Sequence, residues 1–110
     1  MAFLKYDEQA DCLYVQISSK KPYLTFELND QLAVDLTQSN IPVGVEILEA
    51  AKFISNLFGR QIAKEKIKRM LCHVERKEQI YIDFEMSGSR RQCARLAIPT
   101  VYESPVVSVA

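Results

Sequence analysis

Apolar and polar side chains alternate through the first half of the chain, the period-2 signal of strands with one buried face. Leu4 and Tyr6 mark a short first strand, and Leu13, Val15 and Ile17 a second after the polar run Asp7 to Asp11. Lys20-Lys21-Pro22 ends it, because proline gives no ladder donor. Leu24, Phe26 and Leu28 form a third alternation. Asn29-Asp30 turns the chain into a fourth, Leu32, Val34 and Leu36, and Ser39-Asn40-Ile41-Pro42 into a fifth, Val43, Val45 and Ile47. Short polar connections of this kind predict an antiparallel β-meander over residues 1–48.

From Glu49 the period becomes helical. Ala50, Phe53, Ile54, Leu57 and Phe58 cover one face, and Gly59 reads as a cap or kink. The stripe restarts at Ile62, Ala63, Ile67, Met70 and Leu71, predicting an amphipathic helix that ends near Cys72, so the helical segment spans 49–73. Beyond Glu78, Ile80, Ile82, Phe84 and Met86 alternate again, Ser87-Gly88-Ser89 makes a hairpin turn, and Ala94, Leu96 and Ile98 answer on the return. The apolar tail Val106-Val107-Ser108-Val109-Ala110 completes the strands of 79–110 and is expected on a sheet edge, of this chain or of a neighbour. That edge pairing motivates a homodimer. The expected fold class is therefore α+β: a meander of about five strands, a helical segment broken near Gly59, a C-terminal β-hairpin and a terminal strand, in a single domain of 110 residues.

Sorting side chains by alternation puts Leu13, Val15, Ile17, Val34, Leu36, Val45 and Ile47 on one sheet face. Tyr14, Gln16, Ala33, Asp35, Gly44, Glu46 and Leu48 fall on the other. Ala33 and Gly44 have almost no side chain, so that face carries an expected shallow depression bordered by Tyr14, Asp35 and Glu46, able to hold a cation or a basic side chain. The bland account is a solvated sheet face. Asp7 and Asp11 lack calcium-loop spacing, and turn formation explains them.

A formal charge of zero conceals an asymmetry: residues 1–49 net −5, residues 50–77 net +6 and the remainder −1. Arg60, Lys64 and Lys68 share a face at helical spacing and form a candidate partner-binding set. No aromatic interleaving or recognition motif accompanies them, which argues against nucleic acid and for a solvated helix or an acidic protein partner. Cys72 and His73 are adjacent, so they diverge on a helix, and they need Cys93 to form any metal or nucleophile set. Three cysteines without a Cys-x-x-Cys pair indicate neither disulfide framework nor zinc knuckle. Without a signal peptide or an apolar stretch of about 18 residues, the chain is expected in the cytoplasm, off membranes. No phosphate loop, nucleophile elbow or paired-histidine motif occurs, so neither enzyme nor cofactor is expected.

Three motifs in order carry a family likeness: Tyr6-Asp7-x-x-Ala10-Asp11-x-Leu13-Tyr14-Val15, then Val34-Asp35-Leu36, then Val43-Gly44-Val45-Glu46-Ile47-Leu48-Glu49-Ala50. Over about residues 4–55 the chain resembles domain of unknown function 2283, a group of small prokaryotic proteins. Cys12 and Gln38-Ser39-Asn40-Ile41-Pro42 depart from the family's small residue and Asp/Gly-rich turn. The resemblance implies a compact α+β domain, supplies no reaction and no catalytic residue, and, through antitoxin-like relatives, suggests a small toxin as partner. Three readings stand: a protein-interaction module, small-ligand or cation binding at Tyr14, Asp35 and Glu46, and nucleic-acid binding through the basic helix.

Overall fold

The computed structural model describes residues 3–87 and 92–102. Five strands, β1 (Phe3–Asp7), β2 (Cys12–Gln16), β3 (Leu24–Glu27), β4 (Leu32–Leu36) and β5 (Pro42–Ile47), form one antiparallel sheet. Local chemistry makes the hairpins. Asp7 accepts the N–H groups of Gln9 and Ala10, each at 3.1 Å, and Asn29 accepts those of Gln31 and Leu32 at 2.8 and 2.9 Å. At the third turn Thr37 Oγ1 accepts from Ser39 and Ile41, while Asn40 takes the left-handed conformation, φ 63°, that asparagine tolerates.

The order across the sheet is β1-β2-β5-β4-β3. Three consecutive strand pairs are neighbours, as the short turns require. β2 and β3 are not: the link through Lys20-Lys21-Pro22 carries the chain past two strands to the far edge, and β5 folds back to fill the gap in Greek-key order. Its path is held by Ile17 and Ser18, whose N–H groups both donate to the Val43 carbonyl.

Helix α1 (Ala50–Phe58) ends where Gly59, at φ 72°, lets Gly59 and Arg60 donate to the carbonyls of Asn56 and Ser55, a Schellman cap. The second helix is far shorter than the sequence suggests. α2 covers only Lys64–Lys68, and Leu71–Arg76 is a strand, β6, rather than the last turns of a helix reaching Cys72. The apolar stripe misleads because Ile67 and Met70 are buried while Leu71 is 61% exposed; Leu71, His73 and Glu75 face outward from a strand of period 2. β6 pairs with β7 (Gln79–Met86), which pairs with β8 (Gln92–Pro99), giving a second, three-stranded antiparallel sheet. The expected turn at Ser87-Gly88-Ser89 falls partly, and the tail strand 106–110 wholly, outside the described residues, together with the edge pairing from which a homodimer was inferred.

One apolar cluster joins these parts. Leu13, Val15, Val34, Val45 and Ile47 of the first sheet, Ile54 of α1, Ile67 of α2 and Ile80, Ile82 and Phe84 of β7 are all buried to within 1%. The face assigned to the core by alternation is the core face, although register shifts between Asp35 and Leu36, a bulge that leaves both inward rows in place.

Candidate functional site

The opposite face of the five-stranded sheet is polar and open. Register places Lys5 beside Tyr14, Tyr14 beside Glu46, Glu46 beside Ala33, and Gly44 between Gln16 and Asp35. Tyr14 does not border a depression; it fills one. Its ring leans diagonally across Gly44, where an added Cβ would lie 1.8 Å from the phenol oxygen, and reaches β4 to donate to Asp35 Oδ2 at 2.9 Å. Thr25 on β3 donates to the other oxygen, Oδ1, at 2.7 Å. The absent side chain at Gly44 thus lets an aromatic ring cover exposed backbone and tie three strands together. Burial first, and then the bond to Asp35, push the Tyr14 hydroxyl up to about 12.

Glu46 stands apart from that chain of bonds. Its Oε1 accepts the Cys12 thiol at 3.5 Å, and burial followed by this carboxylate pushes the thiol up to about 11. Tyr14, Asp35 and Glu46 therefore share a face as expected, but both Asp35 oxygens already hold protein hydroxyls and Glu46 holds a thiol, which makes the set a braced surface rather than an open cation cradle. The strands contribute four carboxylates to the face, Asp7, Glu27, Asp35 and Glu46, and one base, Lys5. Alternation adds Phe3, Tyr23 and Leu48, which are 59%, 66% and 43% exposed.

The motif residues at the β1–β2 turn have an architectural role. Asp11, at φ 51°, accepts the Tyr6 hydroxyl at 2.7 Å and the Ala51 N–H at 3.0 Å, and its carbonyl accepts the Ala50 N–H at 2.9 Å. It serves the first turn of α1, because Glu49 at the N-cap makes no side-chain capping bond. A carboxylate also suits the positive end of the helix dipole.

Of the basic candidates, Lys64 and Lys68 lie one turn apart on α2 and Arg60 stands off it. Arg60 lies past the Gly59 cap, off any helix, and its guanidinium donates to Gln92; Lys68 pairs with Glu8 at 2.5 Å; Lys64 is exposed on α2. A five-residue helix cannot present the extended basic face that sequence spacing promised. Cys72, His73 and Cys93 line one cavity but are not placed to hold a metal ion together. Cys72 pairs in register with Phe84 on the core side, where burial pushes its thiol up to about 11, while His73 and Cys93 occupy the outer face on strands separated by β7.

That outer face carries a network absent from the sequence reading. Arg95 holds Asp83 with two bonds at 2.7 and 3.0 Å, lies 4.6 Å from the centre of the Tyr81 ring and comes within 3.9 Å of Glu75, which Lys77 approaches at 2.7 Å. Only the register of β7 against β8, which sets Asp83 opposite Arg95, could have revealed it. A shallow cavity of about 500 Å³ adjoins it, lined by Leu71, Cys72, His73, Asp83, Glu85 and Cys93. Among the described residues no three His, Cys, Asp or Glu side chains are placed to hold a metal ion, and no helix is long and apolar enough to cross a membrane.

Residues 4–50, from β1 to the start of α1, match the family model described as protein of unknown function (DUF2283). The three motifs that suggested this family all lie inside the match. No curated protein and no solved structure matches the chain.

Proposed function

We propose that this chain, whose residues 4–50 match the DUF2283 family model, is a protein-interaction module that receives a basic partner on the polar face of its five-stranded sheet. The observation that carries the reading is the braced face itself: four carboxylates against one lysine, held flat by the Tyr14–Asp35–Thr25 bonds and rimmed by Phe3, Tyr23 and Leu48. Exposed aromatic and aliphatic groups around a charged patch suit protein docking, where such groups supply contact area and charge supplies specificity. The module acts inside the cell by surface complementarity, without chemistry of its own, and an antitoxin-like role toward a small basic toxin is its most specific form.

Cation or small-ligand binding at Tyr14, Asp35 and Glu46 is the weaker reading, since the ring occupies the space a ligand needs. The test is affinity recovery from the native host with the wild-type chain and with Asp35→Lys/Glu46→Lys, whose thermal stability is measured in parallel. A stoichiometric basic protein recovered by the wild type and lost from a folded variant supports the reading. Equal recovery by both, or recovery of the chain alone, overturns it.

A further inference from the structure

The sheet has two edges, and they are not alike. β1 carries Lys5 and is flanked by α2 and β6. β3, Leu24-Thr25-Phe26-Glu27, pairs only with β4, and among the described residues no strand covers its outer side. It contains no Lys, Arg or Pro, the residues with which natural edges block further pairing. Leu28 donates to the Leu32 carbonyl at 2.8 Å, so antiparallel alternation turns the N–H and C=O of Phe26 toward β4 and those of Thr25 and Glu27 outward. The core-facing side of the strand is unfinished as well. Leu24 is 40% exposed and Phe26 half-buried, although their β4 partners Leu36 and Val34 are buried to within 1%.

We propose that the outer edge of β3 is a strand-docking site that adds an extended segment of a basic partner protein to the sheet. The inference rests on the reading of the polar face given above and supplies its docking mode. An added strand would place every second side chain on the polar face beside Thr25 and Glu27, near Asp35, where Lys or Arg is favoured. The intervening side chains would lie beside Leu24 and Phe26, whose ring already meets Tyr102 edge-on at 5.3 Å between centroids, where aliphatic groups are favoured. Main-chain bonds supply affinity in such additions, and the alternation of side chains supplies specificity. The ligand is thus an alternating basic and aliphatic strand.

The probe is a fluorescein-labelled nine-residue peptide of alternating lysine and valine, read by anisotropy with the full chain. A second peptide has the same side chains but carries N-methyl groups on its lysines, which keeps the charge and removes alternate backbone donors. Binding at least tenfold weaker for the N-methylated peptide supports the site. So does a loss in Thr25→Pro at least tenfold greater than in Thr25→Val, since both give up the hydroxyl bond to Asp35 and only proline removes the outward N–H. Equal binding of the two peptides overturns the inference and leaves the polar-face reading intact. Binding of neither also overturns it, and the polar-face reading is then judged by the Asp35→Lys/Glu46→Lys recovery, which does not depend on the edge. A chain dimer lost in Thr25→Pro makes a second copy the occupant, and peptide binding seen only after deletion of residues 103–110 makes the chain's own tail the occupant; either result overturns the proposal.

Discussion

Gly44 and Tyr14 are one structural unit: the glycine is small so that the ring can lie on it, and the ring reaches Asp35 because nothing stands between. In Gly44→Ala the new methyl group would sit 1.8 Å from the Tyr14 oxygen, so the ring must swing away and its bond to Asp35 is lost. Overpacking of this kind costs about 1–3 kcal/mol. Urea unfolding of Gly44→Ala measures it, and the penalty should shrink by at least half when the substitution is made in Tyr14→Ala. An undiminished penalty would mean that the backbone at 44, not the ring, sets the demand. Sequence placed Tyr14, Asp35, Gly44 and Glu46 on one face correctly, because alternation along a strand is local. It could not say that the ring leans toward Asp35 rather than Glu46, since that depends on which strands are neighbours and on their register.

At the scale of elements, Asp11 joins the β1–β2 hairpin to α1 and explains why a helix with no capping side chain of its own starts where it does. Asp11→Asn keeps an acceptor for Tyr6 and Ala51 and suits the left-handed backbone, so its cost is expected below about 1 kcal/mol. Asp11→Ala loses the cap, leaves the Tyr6 hydroxyl unpaired and strains a positive φ, for a cost of about 2–3 kcal/mol. Denaturant midpoints of the two variants test the order, and equal midpoints would remove the capping role. In the sequence this residue read as turn architecture, which is half of its work; the other half is a contact with residue 51, across 40 positions. The same limit explains the second helix. Ile67 and Met70 do point into the core, yet Leu71, which lengthens the apparent helical stripe, is the exposed first residue of a strand.

For the molecule as a whole, alkali is the expected weak point. Burial is the largest cause in each case: the hydroxyls of Tyr14 and Tyr102 are pushed up to about 12, and that of Tyr6 is raised as well, from an ordinary 10.0. Their folded-state pKa values exceed the unfolded ones, so their contribution to stability is fully present below pH 10 and is lost as pH rises toward 12, where the unfolded chain releases protons that the folded chain retains. Urea midpoints should fall through that window, and less steeply in Tyr14→Phe. A midpoint independent of pH up to 12 would contradict the burial of these groups. Periodicity by itself determined the strands of the first sheet, the first helix, its glycine stop and the two faces of the sheet, because each is set by neighbours a few residues apart. Tertiary structure alone decided that β5 inserts between β2 and β4, that residues 71–76 join a second sheet, that Tyr14 closes the depression expected beside it, and that among the described residues β3 pairs on one side only. Each of these depends on which distant segments compete for the same backbone donors and the same apolar surface, and that competition leaves no trace in local spacing.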